Sequence, residues 1–172
     1  MNDEKRIKEY YDLLAGIYDD LYGEEQRAKY DKIIHIIKDK RALSRMLDLG
    51  CGTCEFSYIA KKLKYEYIGL DLSLNMLKCG KAKNREGELV QASFRRLPFR
   101  RNSFLIVIAI DSFKDISEYL GLENEIVSRI KRGGRIVITF PKRGLKSKFI
   151  RELKVYEKEE TNTKDVFLYK DL

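Results

Sequence analysis

Short apolar runs alternate with longer amphipathic stretches along most of this chain. The run Phe104–Ile110 is apolar at every position, as expected for a parallel strand that is buried on both faces. Similar but shorter runs predict further strands at 45–49, 66–70, 88–91 and 135–140. Because the stretches between them carry apolar residues every three or four positions, the pattern predicts an α/β protein whose helices connect parallel strands.

Six stretches have helical periodicity, and one connection lacks it. Helices are predicted at 3–20, 24–39, 54–64, 74–83, 115–131 and 145–153. The first two are separated near Gly23, Ser73 is an N-cap residue for the fourth, and Gly133–Gly134 ends the fifth. The stretch 92–102 contains Pro98 and has no helical pattern, so the third crossover is expected to be irregular.

The C-terminal part of the chain predicts the edge of the sheet. Segments 154–160 and 165–170 alternate apolar and polar residues and are joined by a short polar stretch, which is typical of a hairpin. The length of 172 residues suits one domain, 1–172. Within it, residues 1–40 are expected to form cover helices over a core at 45–172.

A glycine-rich turn follows the first predicted strand. The segment Asp48-Leu49-Gly50-Cys51-Gly52 ends that strand and precedes a helix, the place where open α/β sheets bind nucleotide-like ligands. A second acid, Asp71, ends the next strand, where a carboxylate can hold the two hydroxyls of a ribose. A dinucleotide site would carry a third glycine, but Glu55 stands at that position and would repel a pyrophosphate.

At these residues the chain resembles the class I S-adenosylmethionine (SAM)-dependent methyltransferases, in particular their minimal, type-11-like core. The acid-x-G-x-G segment matches their first motif, and Asp71-Leu72-Ser73-Leu74-Asn75-Met76 matches their second. Three further segments, 11–19, 97–104 and 131–140, resemble the family's entry helix and the approaches to strands four and five. The resemblance implies a Rossmann-like three-layer sandwich with a mostly parallel seven-stranded sheet and a C-terminal antiparallel hairpin.

The resemblance also implies which residues hold SAM and its product, S-adenosylhomocysteine. Asp48 would fix the turn and reach the methionine amino group, and Gly50 and Gly52 would let the backbone approach the cofactor. Cys51 would supply the small side chain that the turn needs.

The other implied contacts come from outside the turn. Asp71 would hold the ribose hydroxyls, and Leu72 would pack on the adenine. Tyr11 and Tyr18 would cover the methionine end, although both also fit as ordinary aromatic residues on a helix face.

The sequence departs from the family pattern at Ser93, which concerns the adenine, and at Leu105, where the family favours an acid at the start of strand four. Many members carry an acid after strand three that bonds the adenine amino group, whereas here Ser93 stands in that place, followed by Phe94. Asp111 follows strand four, where residues face the substrate. It is the candidate catalytic residue, either orienting or deprotonating a nucleophile, or it only caps the next helix.

The cysteines and the histidine do not form a metal pattern. Cys51 and Cys54 are spaced as C-x-x-C, and Cys79 and His35 could complete four ligands, but the spacing fits no zinc finger. No metal is therefore expected. No run of apolar residues is long enough to span a membrane, and the charged start lacks a secretory core, so a cytoplasmic protein without a membrane partner is expected.

The net charge of +8 is concentrated in the second half of the chain. Residues 95–154 carry 15 Lys and Arg but only 6 Asp and Glu. In the expected fold part of this basic region flanks the substrate mouth, which favours RNA (tRNA or rRNA) or a translation-associated target as acceptor. A generally basic, solvated surface explains the same charge.

Three interpretations of function follow. The first is a methyltransferase acting on RNA or a translation-associated target, with a small zinc-containing activator protein as a plausible partner. The second is a small-molecule methyltransferase on a quinone-like acceptor. The third is a SAM-binding module without catalysis, favoured by Ser93 and Leu105 in place of acids.

Overall fold

The computed structural model describes residues 3–141, 156–160 and 165–172. The described helices are α1 (Asp3–Leu14), α2 (Tyr18–Ile37), α3 (Ser57–Lys62), α4 (Leu74–Ala82) and α5 (Ile116–Val127). The described strands are β1 (Arg45–Leu49), β2 (Glu66–Asp71), β3 (Glu88–Gln91), β4 (Phe104–Ile110), β5 (Ile130–Pro141), β6 (Glu157–Glu160) and β7 (Asp165–Asp171).

The described strands form one sheet with the order β3-β2-β1-β4-β5-β7-β6. The five strands from β3 to β5 are parallel, and β7 runs antiparallel to both β5 and β6. The order reverses between β1 and β4, where Asp48 pairs with Gly69 on one side and Ile108 on the other. In open α/β sheets this reversal opens a crevice at the carboxyl ends of the strands, where ligands bind.

The side chains of β4 alternate between two cores, one on each face of the sheet. Val107 and Ala109 pack in the core that α5 covers, and Ile106 and Ile108 pack in the core that α2 covers. All four side chains are fully buried. Burial on both faces explains why the sequence of β4 is apolar throughout rather than alternating.

The predicted α/β fold is confirmed, and the strand predictions agree closely with the structure. The first four parallel strands match within one residue at each end, and 92–103 contains no helix. The hairpin is confirmed as the antiparallel pair of β6 and β7. The fifth strand begins earlier than predicted, at Ile130, because the pairing with β4 continues past an irregularity between Phe104 and Ile106.

The break between the first two helices and the end of the fifth are corrected, and one helix prediction lies outside the described residues. The first break falls at 15–17 rather than near Gly23, which is buried inside α2. Burial of Ile33 and Ile37 on the same helix outweighs the cost of about 1 kcal/mol for a helical glycine. α5 ends at Val127 instead of 131. The helix predicted at 145–153 lies outside the described residues.

Helix α3 begins three residues later than predicted. Cys54 has a φ of +62°, and residues 52–56 continue the turn, so the first helical residue is Ser57. Among the described residues, no helix combines the length and the apolar character that crossing a lipid bilayer requires.

Gly80 of α4 contacts the backbone of the turn after β1 so closely that a side chain does not fit. A Cβ at this position would lie 2.6 Å from the carbonyl oxygen of Thr53. Gly121 of α5 is the contrasting case, because a Cβ there has no neighbour within 4 Å among the described residues.

We expect the substitutions G80A and G121A to change stability in opposite directions. Alanine gains roughly 1 kcal/mol of helix propensity at either site, but in G80A overpacking costs about 1–3 kcal/mol. Urea unfolding should therefore show G121A to be more stable than the wild type and G80A less stable. Equal stabilisation of both variants would contradict the close contact between α4 and the turn.

Candidate functional site

A cavity of about 670 Å³ lies at the carboxyl ends of the central parallel strands. Its wall is formed by the turn after β1, the end of β2, the segments after β3 and β4, and one side of α1. Residues predicted to bind the cofactor come together here from five separate parts of the chain. Those that line the cavity are Tyr11, Tyr18, Gly50, Gly52, Asp71, Leu72, Ser93 and Phe94.

Both glycines of the turn have backbone conformations that disfavour larger residues, and at Gly50 the surroundings exclude them as well. Gly50 and Gly52 have φ values of +71° and +54°. A Cβ at Gly50 would lie 2.7 Å from the side chain of Ser112 and 3.1 Å from the ring of Phe94. The turn therefore brings bare backbone to the cavity wall, as a tightly held ligand requires.

Asp71 is fixed in the cavity wall by backbone donors. Its Oδ2 accepts a hydrogen bond from the Gly52 N–H at 2.8 Å, and its Oδ1 accepts one from the Ser73 N–H at 2.8 Å. Burial raises the pKa of this carboxyl group, and the two N–H donors oppose the rise. Each oxygen keeps a further lone pair, so the carboxylate can accept from two adjacent hydroxyls.

Asp48 has a different environment from the one the resemblance implies. It is 3% exposed, and it is absent from the cavity lining. The Tyr67 hydroxyl donates to Asp48 Oδ2 at 2.7 Å, and burial raises the pKa of Asp48 to about 7. In this structure Asp48 lies behind the turn rather than in the cavity wall. Its contact with a methionine amino group stays a prediction.

Cys51 also lies behind the turn rather than in the cavity lining. Its Sγ is 3.3 Å from the Sγ of Cys54, and both thiols are free. A Cβ at Gly69 would lie 2.9 Å from Cys51 Sγ, so the thiol fills the space above that glycine. Burial raises the pKa of the Cys51 thiol well above its ordinary value, which makes it a poor nucleophile and metal ligand.

Asp111 lies at the cavity and is held by three contacts to other elements. Its backbone has a φ of +51°, and its N–H donates to Thr139 Oγ1 at 2.9 Å. The Thr139 hydroxyl donates to Asp111 Oδ1 at 2.6 Å, and Lys29 pairs with Oδ2. The idea that Asp111 caps the next helix is wrong, because Asp115 accepts from the first N–H groups of α5.

Lys29 is a functional candidate that the sequence analysis missed. Its side chain is 1% exposed, and its Nζ lies 3.4 Å from Asp165 and 3.5 Å from Glu25, in addition to Asp111. These three acids form a cluster with metal-ligand spacing, but the lysine ammonium already supplies the cation at its centre. The signal was present in the sequence, because Lys29 shares a helix face with the buried Ile33 and Ile36.

Helix α1 covers the cavity without burying any residue of its own. Near its carboxyl end, Asp12 accepts hydrogen bonds from the Ser73 hydroxyl at 2.5 Å and from the Asn75 N–H at 3.2 Å. Tyr11 and Tyr18 meet edge to face over the cavity, with ring centroids 6.3 Å apart. The cover is therefore attached mainly by polar contacts.

Helix α2 is attached to the same turn by a charged network around Asp19. Asp19 accepts from Thr53, from Arg85 at 2.6 Å and from Lys83 at 2.6 Å. Although burial opposes it, hydrogen bonds from Arg85, Lys83 and Thr53 lower the pKa of Asp19 to about 2. This network fixes the start of α2, which carries Tyr18, against the turn.

The described part of the basic region does not form one surface around the cavity. Arg95 and Arg96 follow the carboxyl end of β3, on the cavity side, whereas Arg100 and Arg101 precede the amino end of β4 on the opposite side. Lys131 and Arg132 lie at the amino end of β5, also opposite the cavity. Arg135 is buried and pairs with Asp39 and Asp171. The basic residues in 142–154 lie outside the described residues.

The sheet order, the glycine turn and the acid after β2 together define a nucleoside-binding α/β protein of the class I SAM-dependent methyltransferase type. A family model described as a methyltransferase domain matches residues 47–138, more than half of the chain. The chain belongs to this family.

Individual relatives and solved structures agree with this assignment. A demethylmenaquinone methyltransferase of Lactococcus lactis is 31% identical over 147 residues, covering 78% of this chain and 58% of that protein. The chain spans between 37% and 61% of the length of this and two other curated relatives.

Two solved structures share the fold at low identity. Magnesium protoporphyrin IX methyltransferase from Synechocystis PCC 6803, solved with bound SAM, has a TM-score of 0.77 at 16% identity, covering 98% of this chain and 96% of that one. A Haloferax volcanii methyltransferase described as putative, in complex with the activator Trm112, has a TM-score of 0.65 at 14% identity, covering 89% of this chain and 95% of that one.

We expect Asp48 to make the protein less stable as the pH rises. Burial raises the pKa of Asp48 to about 7 in the folded protein, whereas its ordinary value, which applies to the unfolded chain, is 3.8. Its stabilising contribution is therefore complete below about pH 4 and is lost as the pH rises through 7, by as much as about 4 kcal/mol.

Urea unfolding at pH 5 and pH 8 tests this effect. D48N keeps an acceptor for Tyr67 but cannot ionise, so its stability should fall less than that of the wild type between the two pH values. D31N, at an exposed position of α2, is the control and should behave as the wild type. A wild-type pH dependence that D48N leaves unchanged would contradict the assignment.

Proposed function

We propose that this protein is a SAM-dependent methyltransferase that acts on a small, largely apolar acceptor. The observation that carries the proposal is the cavity in which the bare backbone of Gly50 and Gly52 and the buried carboxylate of Asp71 face the same space. A nucleoside with a cationic substituent fits this combination, because acids in and near the turn favour a cation over a pyrophosphate.

Methyl transfer requires alignment more than acid–base chemistry. SAM supplies a methyl group that its positive sulfur already activates, and in the displacement the carbon–sulfur bond breaks as the bond to the acceptor forms. The protein has to orient the two reactants in line and exclude water. Tyr11 and Tyr18 on the cover helices support the second requirement, since they lie over the cavity.

Asp111 is the residue that we assign to the acceptor side. It lines the cavity, and the buried Lys29 and Thr139 hold its carboxylate in place. In this role Asp111 orients the nucleophile and accepts its proton when the acceptor is a hydroxyl group. Lys29 acts through Asp111 and is a positioning residue.

The composition of the cavity wall favours a small apolar acceptor over RNA. Ile7, Ile110, Phe113 and Leu122 contribute apolar surface to the cavity. The relatives named demethylmenaquinone methyltransferases agree with a quinone-like acceptor. Among the described arginines that motivated the RNA hypothesis, Arg95 lines the cavity, whereas Arg100 and Arg101 lie on the opposite side of the sheet, so they do not form one surface around it.

An activating partner and the cytoplasmic location both stay predictions. The Haloferax volcanii neighbour was solved with the activator Trm112, but at 14% identity that likeness concerns the fold. The interpretation as a non-catalytic SAM-binding module differs from our proposal in one respect only, since it predicts binding without methyl transfer.

We expect D71A to weaken the binding of S-adenosylhomocysteine at least about tenfold, because the ribose hydroxyls lose a buried charged acceptor. Isothermal titration calorimetry measures the effect. E88A, which removes an exposed acid from the amino end of β3, is the matched control. Unchanged affinity of D71A would remove Asp71 from the ligand site.

We expect the wild type to transfer labelled methyl groups from SAM to a demethylated quinone, but not to tRNA. D111N should bind S-adenosylhomocysteine as the wild type does while its kcat falls at least about tenfold. Asparagine is preferred to alanine because it preserves the contact with Thr139 beside the buried Lys29. Methylation of tRNA in preference to the quinone would overturn the small-molecule proposal, and binding without transfer to any acceptor would favour the non-catalytic module.

A further inference from the structure

Helix α1 brings a carboxylate to the end of the cavity formed by the segment after β3. Glu4 lies in the first turn of α1 and lines the cavity. Its Oε1 accepts a hydrogen bond from the Ser93 hydroxyl and lies 3.3 Å from Arg95 Nε. Glu4 and Ser93 are 89 residues apart in the chain, so the contact exists only when α1 covers the cavity.

The Ser93 hydroxyl already donates its one proton and uses one of its two lone pairs. It donates to Glu4 and accepts from the Arg95 N–H at 3.1 Å. A hydroxyl has only one proton to donate, and here Glu4 receives it. The contacts of Glu4 with Ser93 and Arg95 both involve Oε1, so Oε2 is the carboxylate oxygen that remains for a ligand.

The position of Asp71 indicates which part of the ligand meets Glu4, and this step rests on the proposed function. Asp71 pairs in register with Gln91, and the Ala92 N–H donates to the Asp71 carbonyl oxygen at 3.1 Å. Ser93 is therefore the next residue along the cavity wall from the ribose site. With the sulfur end of the ligand placed toward Gly52 and the tyrosines, as the proposed function requires, the nucleobase would extend toward Ser93 and Glu4.

We propose that Glu4 is the residue that selects the nucleobase of the cofactor, by accepting a hydrogen bond from an exocyclic amino group. A carboxylate only accepts hydrogen bonds, and a bond to a charged acceptor is stronger than one to a neutral hydroxyl. Adenine carries an exocyclic amino group that can donate to this carboxylate. Hypoxanthine, its deaminated form, offers a carbonyl oxygen that the carboxylate repels.

The arrangement also couples base recognition to the cover. Asp12 holds the carboxyl end of α1 at Ser73 and Asn75, and Glu4 holds its amino end at Ser93 and Arg95. Because α1 buries no residue, these polar contacts and the ligand decide how firmly it closes. An exocyclic amino group on the base would give Glu4 a further hydrogen-bond partner at the amino end of α1.

The test compares S-adenosylhomocysteine with S-inosylhomocysteine, which differs only at the base. We expect calorimetry to show that the wild type prefers the adenine ligand about tenfold or more. In E4Q the preference should fall to about threefold or less, because an amide can donate to the carbonyl oxygen of hypoxanthine as well as accept from adenine. E9Q removes an exposed acid of the same helix, paired only loosely with Lys5 at 3.8 Å, and should retain the wild-type preference.

A rescue variant separates base recognition from a general effect on the cover. In E4Q/S93D a carboxylate stands at position 93 itself, and we expect the preference for adenine to return. Equal weakening of both ligands in E4Q, with the preference unchanged, would overturn the inference, since Glu4 would then act only on closure. Failure of the wild type to bind S-adenosylhomocysteine at all would overturn the proposed function, and the inference with it.

Discussion

The hydrogen bond from the Gly52 N–H to the Asp71 carboxylate joins the two parts of the chain on which the site depends. Gly52 belongs to the turn after β1, and Asp71 ends β2, the neighbouring parallel strand. The second oxygen of Asp71 holds the Ser73 N–H, next to the start of α4. One carboxylate therefore sets the positions of the turn, the strand end and the helix start, while it keeps lone pairs for a ribose.

Two acids that look alike in the sequence have different roles because their surroundings differ. Asp71 faces the cavity and is stabilised by two N–H donors, so it suits a polar ligand. Asp48 lies behind the turn with a tyrosine as its partner, and burial raises its pKa to about 7. Asp48 therefore supports the turn, and burial disfavours its ionised form. Asp71 is the acid that faces the cavity.

The cover and the acceptor side are built from contacts between distant charged groups. Lys29 on α2 compensates Asp111 after β4 and Asp165 at the start of β7, together with Glu25 of its own helix. Asp19 ties the start of α2 to the turn. Glu4 and Asp12 hold α1 across the cavity. Buried ion pairs contribute little net stability but strongly disfavour alternative arrangements that leave one charge alone. The buried pairs of Lys29 and Asp19 therefore fix where α2 closes. Helix α1 buries no residue and is held by the partly exposed polar contacts of Glu4 and Asp12.

The sequence by itself determined the strands, the glycine turn, the acid after β2 and the irregular crossover, because these features follow from local rules. Burial on both faces demands an apolar run, and a turn with positive φ favours glycine. Only the tertiary structure decided the break between α1 and α2, the orientation of Asp48 and the partners of Asp111 and Ser93. Lys29 and Asp111 are 82 residues apart in the chain, and Glu4 and Ser93 are 89 residues apart. No local pattern encodes such pairings, because they depend on where the sheet brings the strand ends together.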